Sequence, residues 1–110
     1  MNPTGNTILI TGGGTGIGRG LAEAFHSDSN QVIIAGRRQS VLEDTVRASP
    51  GMRFLLADVE NLDDVSRFGA EVKAEFPSLN VLINNAGIMK SENLKSTIHN
   101  ARVILLALDK

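Results

Sequence analysis

The sequence predicts an α/β fold in which a doubly wound parallel sheet is covered by helices on both faces. Three observations predict it: short apolar runs alternate with segments of helical spacing, the strand-like runs have no polar face, and a glycine-rich turn follows the first of them. Strands that are apolar on both faces need cover from both sides, and a parallel sheet receives that cover from its crossover helices.

The first strand, turn and helix occupy residues 7–30. Thr7–Thr11 is a short β-branched run that ends in glycines, which predicts a strand. After the turn, apolar residues recur at i, i+4, i+7 and i+8 and predict one buried helical face: Ile17, Leu21, Ala24 and Phe25. The polar segment 27–30 then ends the helix.

The second unit begins with the apolar run Gln31–Ala35, which predicts a strand. Ser40 and Glu43 have the spacing of a capping box, in which each side chain bonds a backbone N–H group at a helix start. That helix is predicted to run to about Ala48, because Pro50-Gly51 follows and stops it.

The third unit predicts a strand over residues 52–57 and a helix that Asn61 caps and Pro77 ends. The apolar stripe of this helix has five members: Leu62, Val65, Phe68, Val72 and Phe76. Val81–Ile83 predicts a fourth strand. With right-handed crossovers the four strands take the order 3-2-1-4, which is half of a Rossmann-like fold.

The chain divides at residue 87, although we expect both parts to belong to one domain. Residues 1–87 carry the alternating pattern, and residues 88–110 form an atypical apolar tail. Thr97 to Leu108 is compatible with a helix, and Val103 to Leu108 is equally compatible with a buried strand, because periodicity does not separate these cases in a short run. The far edge of the fourth strand is therefore open unless the tail or a partner chain pairs with it.

Composition excludes several classes of protein. The 110 residues include 11 basic and 12 acidic side chains, so a broad basic face for nucleic acid is not expected. The absence of cysteine excludes disulfides, thiolate metal sites and cysteine nucleophiles, and we expect no metal site. The apolar runs are far shorter than the about 20 residues of a membrane helix, and Met1–Asn6 does not resemble a secretory signal. We therefore expect a cytoplasmic protein.

The glycine-rich turn predicts a nucleotide site. Gly12, Gly16 and Gly18 follow the pattern G-x-x-x-G-x-G between a strand and a helix, where glycine lets the backbone approach a phosphate at the helix N-terminus. A Walker-type loop would end in Gly-Lys-Ser/Thr, but Gly18 is followed by Arg19-Gly20. The alternative is a purely structural turn.

The end of the second strand indicates which dinucleotide is bound. An acidic residue there usually holds the ribose 2′-hydroxyl of NAD, whereas an arginine accommodates the 2′-phosphate of NADP. This chain has Arg37-Arg38 there, and its next acid is Glu43. The pair favours NADP over NAD, with a solvated turn as the alternative.

Three motifs together resemble the classical short-chain dehydrogenases/reductases. They are TGGGTGIG at residues 11–18, Asp58-Val59 after the third strand, and NNAG at residues 84–87 after the fourth. The resemblance covers about Thr7 to Gly87. It implies cofactor contacts by Gly12, Thr15, Gly16, Ile17, Gly18, Arg37, Arg38, Asp58, Val59, Asn85, Ala86 and Gly87. A structural role remains the alternative for Asp58, as the cap of a turn, and for Asn84-Asn85, as partners of loop backbone groups.

The chain departs from the family at the catalytic residues. Family members transfer a hydride between nicotinamide and a carbonyl or alcohol, with the tyrosine of a Tyr-x-x-x-Lys motif as acid/base. This chain contains no tyrosine, so no catalytic residue is assigned. Asn100 is a weak counterpart of the family's relay asparagine, because it follows Asn85 too closely. His26 is expected to be a solvated surface residue.

These observations lead to two main hypotheses about function, beside a third in which the chain is a complete enzyme with an unrecognised acid/base. The first is a truncated, NADP(H)-binding portion of an oxidoreductase that is inactive as this chain alone. The second is a non-enzymatic nucleotide-binding or interaction protein derived from the same fold. In both cases we expect a homo-oligomer or a partner chain that covers the open sheet edge.

Overall fold

The computed structural model describes residues 4–12, 16–57, 62–84 and 102–105. Eight elements follow one another along the described chain. They are β1 (Thr7–Thr11), α1 (Gly16–Ser27), β2 (Gln31–Gly36), α2 (Gln39–Ala48), β3 (Arg53–Leu56), α3 (Leu62–Glu75), β4 (Val81–Asn84) and β5 (Arg102–Leu105). None of the helices in these ranges is both long enough and apolar enough to span a membrane.

The strands form one parallel sheet in the order β3-β2-β1-β4-β5. The predicted order 3-2-1-4 and the doubly wound α/β fold are therefore confirmed. The structure also decides between the two alternatives for the tail, because residues 102–105 are a strand that pairs with β4. The edge of β4 that the sequence left open is covered by β5.

Alternating residues of the strands belong to two separate apolar cores, one on each face of the sheet. Ile8 and Ile10 point to the face that α1 and α2 cover, whereas Leu9 points to the face that α3 covers. On the α3 side the helix contributes Phe68 and Val72, both fully buried. The predicted stripe is thus confirmed for Phe68, Val72 and Phe76, whereas Asn61 and the side chains of Leu62 and Val65 lie outside what the structure describes.

The predicted buried face of α1 is partly wrong. Ile17 is 58% exposed and Ala24 is exposed, whereas Gly18 and Ala22 are buried. Leu21 and Phe25 belong to the stripe as expected, since both pack against the core. The helix faces the sheet with its small residues because these let the two backbones approach closely. That rotation leaves Ile17 at the rim of the glycine turn.

The predicted capping box is wrong. The N-cap residue of α2 is Arg38, in an extended conformation with no capping bond from its side chain. Ser40 lies inside the first turn of the helix, where its hydroxyl is too far along to act as the cap. Glu43 instead accepts a hydrogen bond from the Gln39 side chain, Nε2 to Oε2 at 3.1 Å. The predicted end of the helix at Ala48 is confirmed.

Three asparagines join the amino ends of β1, β2 and β4. Asn6 donates its backbone N–H and its side-chain amide to Asn30 Oδ1, at 3.0 and 3.1 Å. Asn30 in turn donates to the carbonyl of Phe25 at 2.9 Å. Asn80 donates to Asn6 Oδ1 at 2.9 Å and accepts from the backbone N–H of Thr7 at 2.8 Å. The network sets where the three strands begin.

Asn30→Ala is expected to lower the free energy of unfolding by about 1–3 kcal/mol, because buried donors of Asn6 lose their shared acceptor. Urea denaturation at neutral pH measures the change. Asn80→Ala is the matched control, since Asn80 is exposed and water can replace its bonds. Equal losses in the two variants would contradict the assignment of a buried role to Asn30.

Candidate functional site

The predicted site residues that the structure describes lie at the carboxyl edge of the sheet. At this edge Thr11 of β1 is in register with Ala35 of β2 on one side and with Asn84 of β4 on the other. The chain runs outward from β1 to β2 and β3 and then returns to β4 on the opposite side of β1. Such a reversal of strand order opens a crevice in which α/β proteins bind their ligands.

The glycine turn follows β1 at this crevice. Gly12 and Gly16 have positive φ values, 72° and 59°, which side chains other than glycine rarely adopt. A Cβ atom at Gly16 would meet no heavy atom within 4 Å, so the turn opens to free space at this position. Helix α1 begins at Gly16, and the N–H groups of its first turn have no partners within the helix. The first turn of α1 therefore offers backbone donors beside the open position at Gly16, which is the arrangement that binds a phosphate.

Ile17 and Gly18 complete the described part of this turn. Ile17 is one of two large apolar side chains among the described residues that are strongly exposed. Gly18 is buried, and its lack of a side chain lets α1 lie close to the sheet. Ile17 thus offers an apolar surface beside the backbone donors, a combination suited to a ligand with both phosphate and ring or sugar parts.

The arginine pair lies next to the glycine turn. Gly12 donates its N–H to the carbonyl of Ala35 at 2.9 Å, so the turn is tied to β2 two residues before Arg37. Gly36 accepts from the N–H of Ala57 at 2.8 Å, which ties the same loop to the end of β3. Arg37 and Arg38 are both exposed. The structure therefore brings the two predicted site segments, far apart in the chain, to one edge of the sheet.

The other predicted contacts lie outside the described residues: Thr15, Asp58, Val59, Asn85, Ala86, Gly87 and Asn100. Two of these groups directly continue described strands in the sequence. Asp58-Val59 follow Ala57, beyond β3, and residues 85–87 follow Asn84, the last residue of β4. Both strands end at the same edge as the glycine turn.

Sequence reasoning missed an ion-pair cluster that joins α1 to α2. Arg19 donates from Nε to Glu23 Oε2 and from Nη1 to Asp44 Oδ2, both at 3.1 Å. Hydrogen bonds to Glu23 and then Asp44 raise the pKa of Arg19 above its ordinary value. The Arg19–Glu23 pair was visible as an i, i+4 spacing in the sequence. No such signal marked Asp44, which lies 25 residues away.

The described residues contain no group of three or more histidine, aspartate and glutamate side chains placed to hold a metal ion. His26 is partly exposed in the last turn of α1, at the opposite end of the helix from the glycine turn. His26 therefore lies away from the candidate site.

Comparison with known proteins identifies the family. The family model described as short chain dehydrogenase matches residues 6–104. An uncharacterized oxidoreductase, DltE of Bacillus subtilis strain 168, is 39% identical over 95 residues, which cover 86% of this chain and 38% of that protein. L-fucose dehydrogenase of Bos taurus is 37% identical over 83 residues, which cover 76% of this chain and 31% of that protein. The chain thus spans about a third of the length of these curated relatives.

Solved structures agree with this assignment. A short chain dehydrogenase/reductase family protein superposes with a TM-score of 0.67 at 37% identity, covering 80% of this chain and 36% of its own. This chain therefore belongs to the short-chain dehydrogenase/reductase family, whose members are oxidoreductases that use nicotinamide dinucleotides.

Proposed function

We propose that this chain binds NADP(H) and is the cofactor-binding portion of an oxidoreductase that acts on carbonyl or alcohol substrates. The glycine turn carries the proposal, because two positive-φ glycines and a helix start open onto the crevice where the strand order reverses. The residues present fit the diphosphate of a dinucleotide: the turn offers backbone donors and no side chain that would fill the space at Gly16.

The preference for NADP rests on the loop after β2. Arg37 and Arg38 are exposed at the carboxyl edge, and Gly36 occupies the last position of β2, where NAD-binding folds usually place an acid. Guanidinium groups pair with a phosphate through two parallel hydrogen bonds, so an arginine here recognises the 2′-phosphate.

Each part of the site has a role in holding the cofactor. The first turn of α1 would hold the diphosphate, Arg37 and Arg38 would hold the 2′-phosphate, and the exposed side chain of Ile17 would offer an apolar surface to the cofactor. The proposal extends to Thr15, Asp58, Val59 and residues 85–87, the remaining contacts implied by the family. When bound, the nicotinamide supplies the hydride chemistry of the family.

The chain is expected to bind the cofactor without turning it over. The family's acid/base is a tyrosine whose pKa a neighbouring lysine lowers, and none of the 110 residues is a tyrosine. No described side chain near the glycine turn replaces it. Calorimetric titration of the folded chain with NADPH, followed by an assay of NADPH oxidation with simple carbonyl compounds, tests both parts. A folded chain that takes up no NADPH would overturn the cofactor assignment.

The matched pair Gly16→Ala and Gly20→Ala tests the glycine turn directly. Gly16 has a positive φ, so an added methyl group strains the turn by about 1–2 kcal/mol, and we expect NADPH affinity to fall about tenfold. Gly20 lies in α1 with the same open space around its Cβ position but an ordinary φ. Gly20→Ala should keep the affinity and stabilise the helix slightly. Equal affinities in the two variants would contradict the assignment.

The second candidate function is a non-enzymatic interaction protein, favoured by the sheet edge at β5. Among the residues that the structure describes, β5 pairs only with β4. An unpaired strand edge invites pairing with another chain, as a second copy or a different partner. Sedimentation across a concentration series tests this candidate, and a monomer at every concentration would argue against a homo-oligomer.

A further inference from the structure

We propose that the ion pair between Arg19 and Asp44 positions the loop after β2. It would hold the arginine pair of that loop, residues 37 and 38, at the distance from the glycine turn that cofactor binding requires. It would thereby set the discrimination between NADPH and NADH. This inference rests on the proposed function, since it assigns a specificity role within the same cofactor site. Neither residue is itself assigned a contact with the cofactor.

Arg19 is well placed to connect the two loops. It is the fourth residue of α1, one helical turn from the glycine turn, yet its guanidinium reaches α2. Glu23 holds Nε at 3.1 Å, which leaves Nη1 aimed at Asp44 Oδ2, also at 3.1 Å. About a third of the Arg19 side chain is exposed and 63% of the Asp44 side chain is exposed, so the bridge lies at the surface with its arginine end the better covered. Two simultaneous charge-assisted bonds fix the guanidinium more firmly than one would.

Helix α2 needs a directional contact of this kind. Backbone hydrogen bonds of Ala35 and Gly36 anchor the end of β2, but the N-cap residue Arg38 makes no capping bond from its side chain, so no cap fixes the start of α2. Leu42 and Val46 hold the helix against the sheet through apolar contacts. Apolar contacts are not directional, and they restrain the helix less strongly against sliding along its axis. The bond to Asp44 supplies that restraint, and any shift of α2 would move Arg37 and Arg38 with it.

The direction in which one substitution changes NADPH affinity distinguishes a positioning role from a simple charge effect. Asp44→Asn removes a negative charge from the neighbourhood of a site for phosphates. By Coulomb's law alone, NADPH would then bind more tightly. If Asp44 acts by positioning the loop, NADPH binds less tightly despite the gain in positive charge.

The experiment is calorimetric titration of the full chain and its Asp44→Asn variant with NADPH and, separately, with NADH. We expect NADPH affinity to fall about two- to fivefold, the range for a partly exposed ion pair, while NADH affinity stays the same. In an Arg19→Gln background Asp44→Asn should no longer weaken NADPH binding, because the bridge is already broken and only the gain in positive charge acts. Tighter or unchanged NADPH binding in Asp44→Asn would overturn the proposal.

Two controls match the substitution. Asp28→Asn removes the same charge from an exposed turn after the far end of α1 and should leave both affinities unchanged. Arg47→Gln removes the more distant cation beside Asp44, at 3.8 Å, and should also leave the NADPH/NADH ratio unchanged. A parallel fall in both affinities would mean general damage to the fold and would overturn a role in specificity. A wild-type chain that binds neither cofactor defeats the proposed function itself, whereas unchanged binding in Asp44→Asn defeats only this inference.

Discussion

Replacing Arg37 with aspartate is expected to reverse the cofactor preference, with NADPH affinity falling about a hundredfold and NADH affinity maintained. The variant loses a charge-assisted hydrogen bond to the 2′-phosphate, worth about 1.5–3 kcal/mol, and gains a repulsive charge. The same carboxylate can accept a hydrogen bond from the 2′-hydroxyl of NADH, as acids at this edge do in NAD-binding folds. Nothing in the core is disturbed, since Arg37 is exposed at the end of β2.

Titration of the variant with both dinucleotides at two salt concentrations measures the effect. The matched control is Lys73→Asp, which makes the same change in net charge at an exposed position of α3. A purely global charge effect would lower NADPH affinity in both variants and would weaken with salt in the same way. An unchanged NADPH/NADH ratio in Arg37→Asp would remove the 2′-phosphate assignment while leaving the diphosphate site untouched.

Local conformational demands explain which features of the candidate site could be predicted from the sequence. The turn after β1 requires positive φ at Gly12 and Gly16, and glycine accepts that conformation with least strain, so the sequence pattern identified the turn. The strand order followed from apolar runs that need cover on both faces. As a result, Gly12 and Arg37 lie at the same carboxyl edge of the sheet, although they are 25 positions apart in the sequence.

Features that depend on tertiary contacts were not predictable in the same way. Leu21 and Phe25 fit two possible buried faces of α1, one that includes Ile17 and one that includes Gly18. The face with the small residue Gly18 is buried because it lets α1 lie close to the sheet, and this contact is not visible in the sequence. The spacing of Ser40 and Glu43 permits a capping box, but α2 begins earlier, at Gln39. The short apolar run after residue 102 became a strand because β4 offered an edge.

The largest effect on stability is expected from Phe68→Ala, at about 3–5 kcal/mol of the free energy of unfolding. Phe68 is fully buried on α3, and among the described helices α3 alone covers its face of the sheet, where Leu9 and Leu82 lie. The opposite face is shared by α1 and α2, so a cavity there can be filled by small shifts of either helix.

Urea denaturation of the full chain measures the loss, with Phe25→Ala as the matched control. Phe25 is the same residue type but only partly buried against the other core, so its removal should cost less. Equal costs would show that α3 is not the principal cover of its face. A domain of this size has a free energy of unfolding of only about 5–15 kcal/mol, so Phe68→Ala would remove a large part of its stability. The candidate site depends on this helix indirectly, since α3 packs against the strands whose carboxyl ends lie at that site.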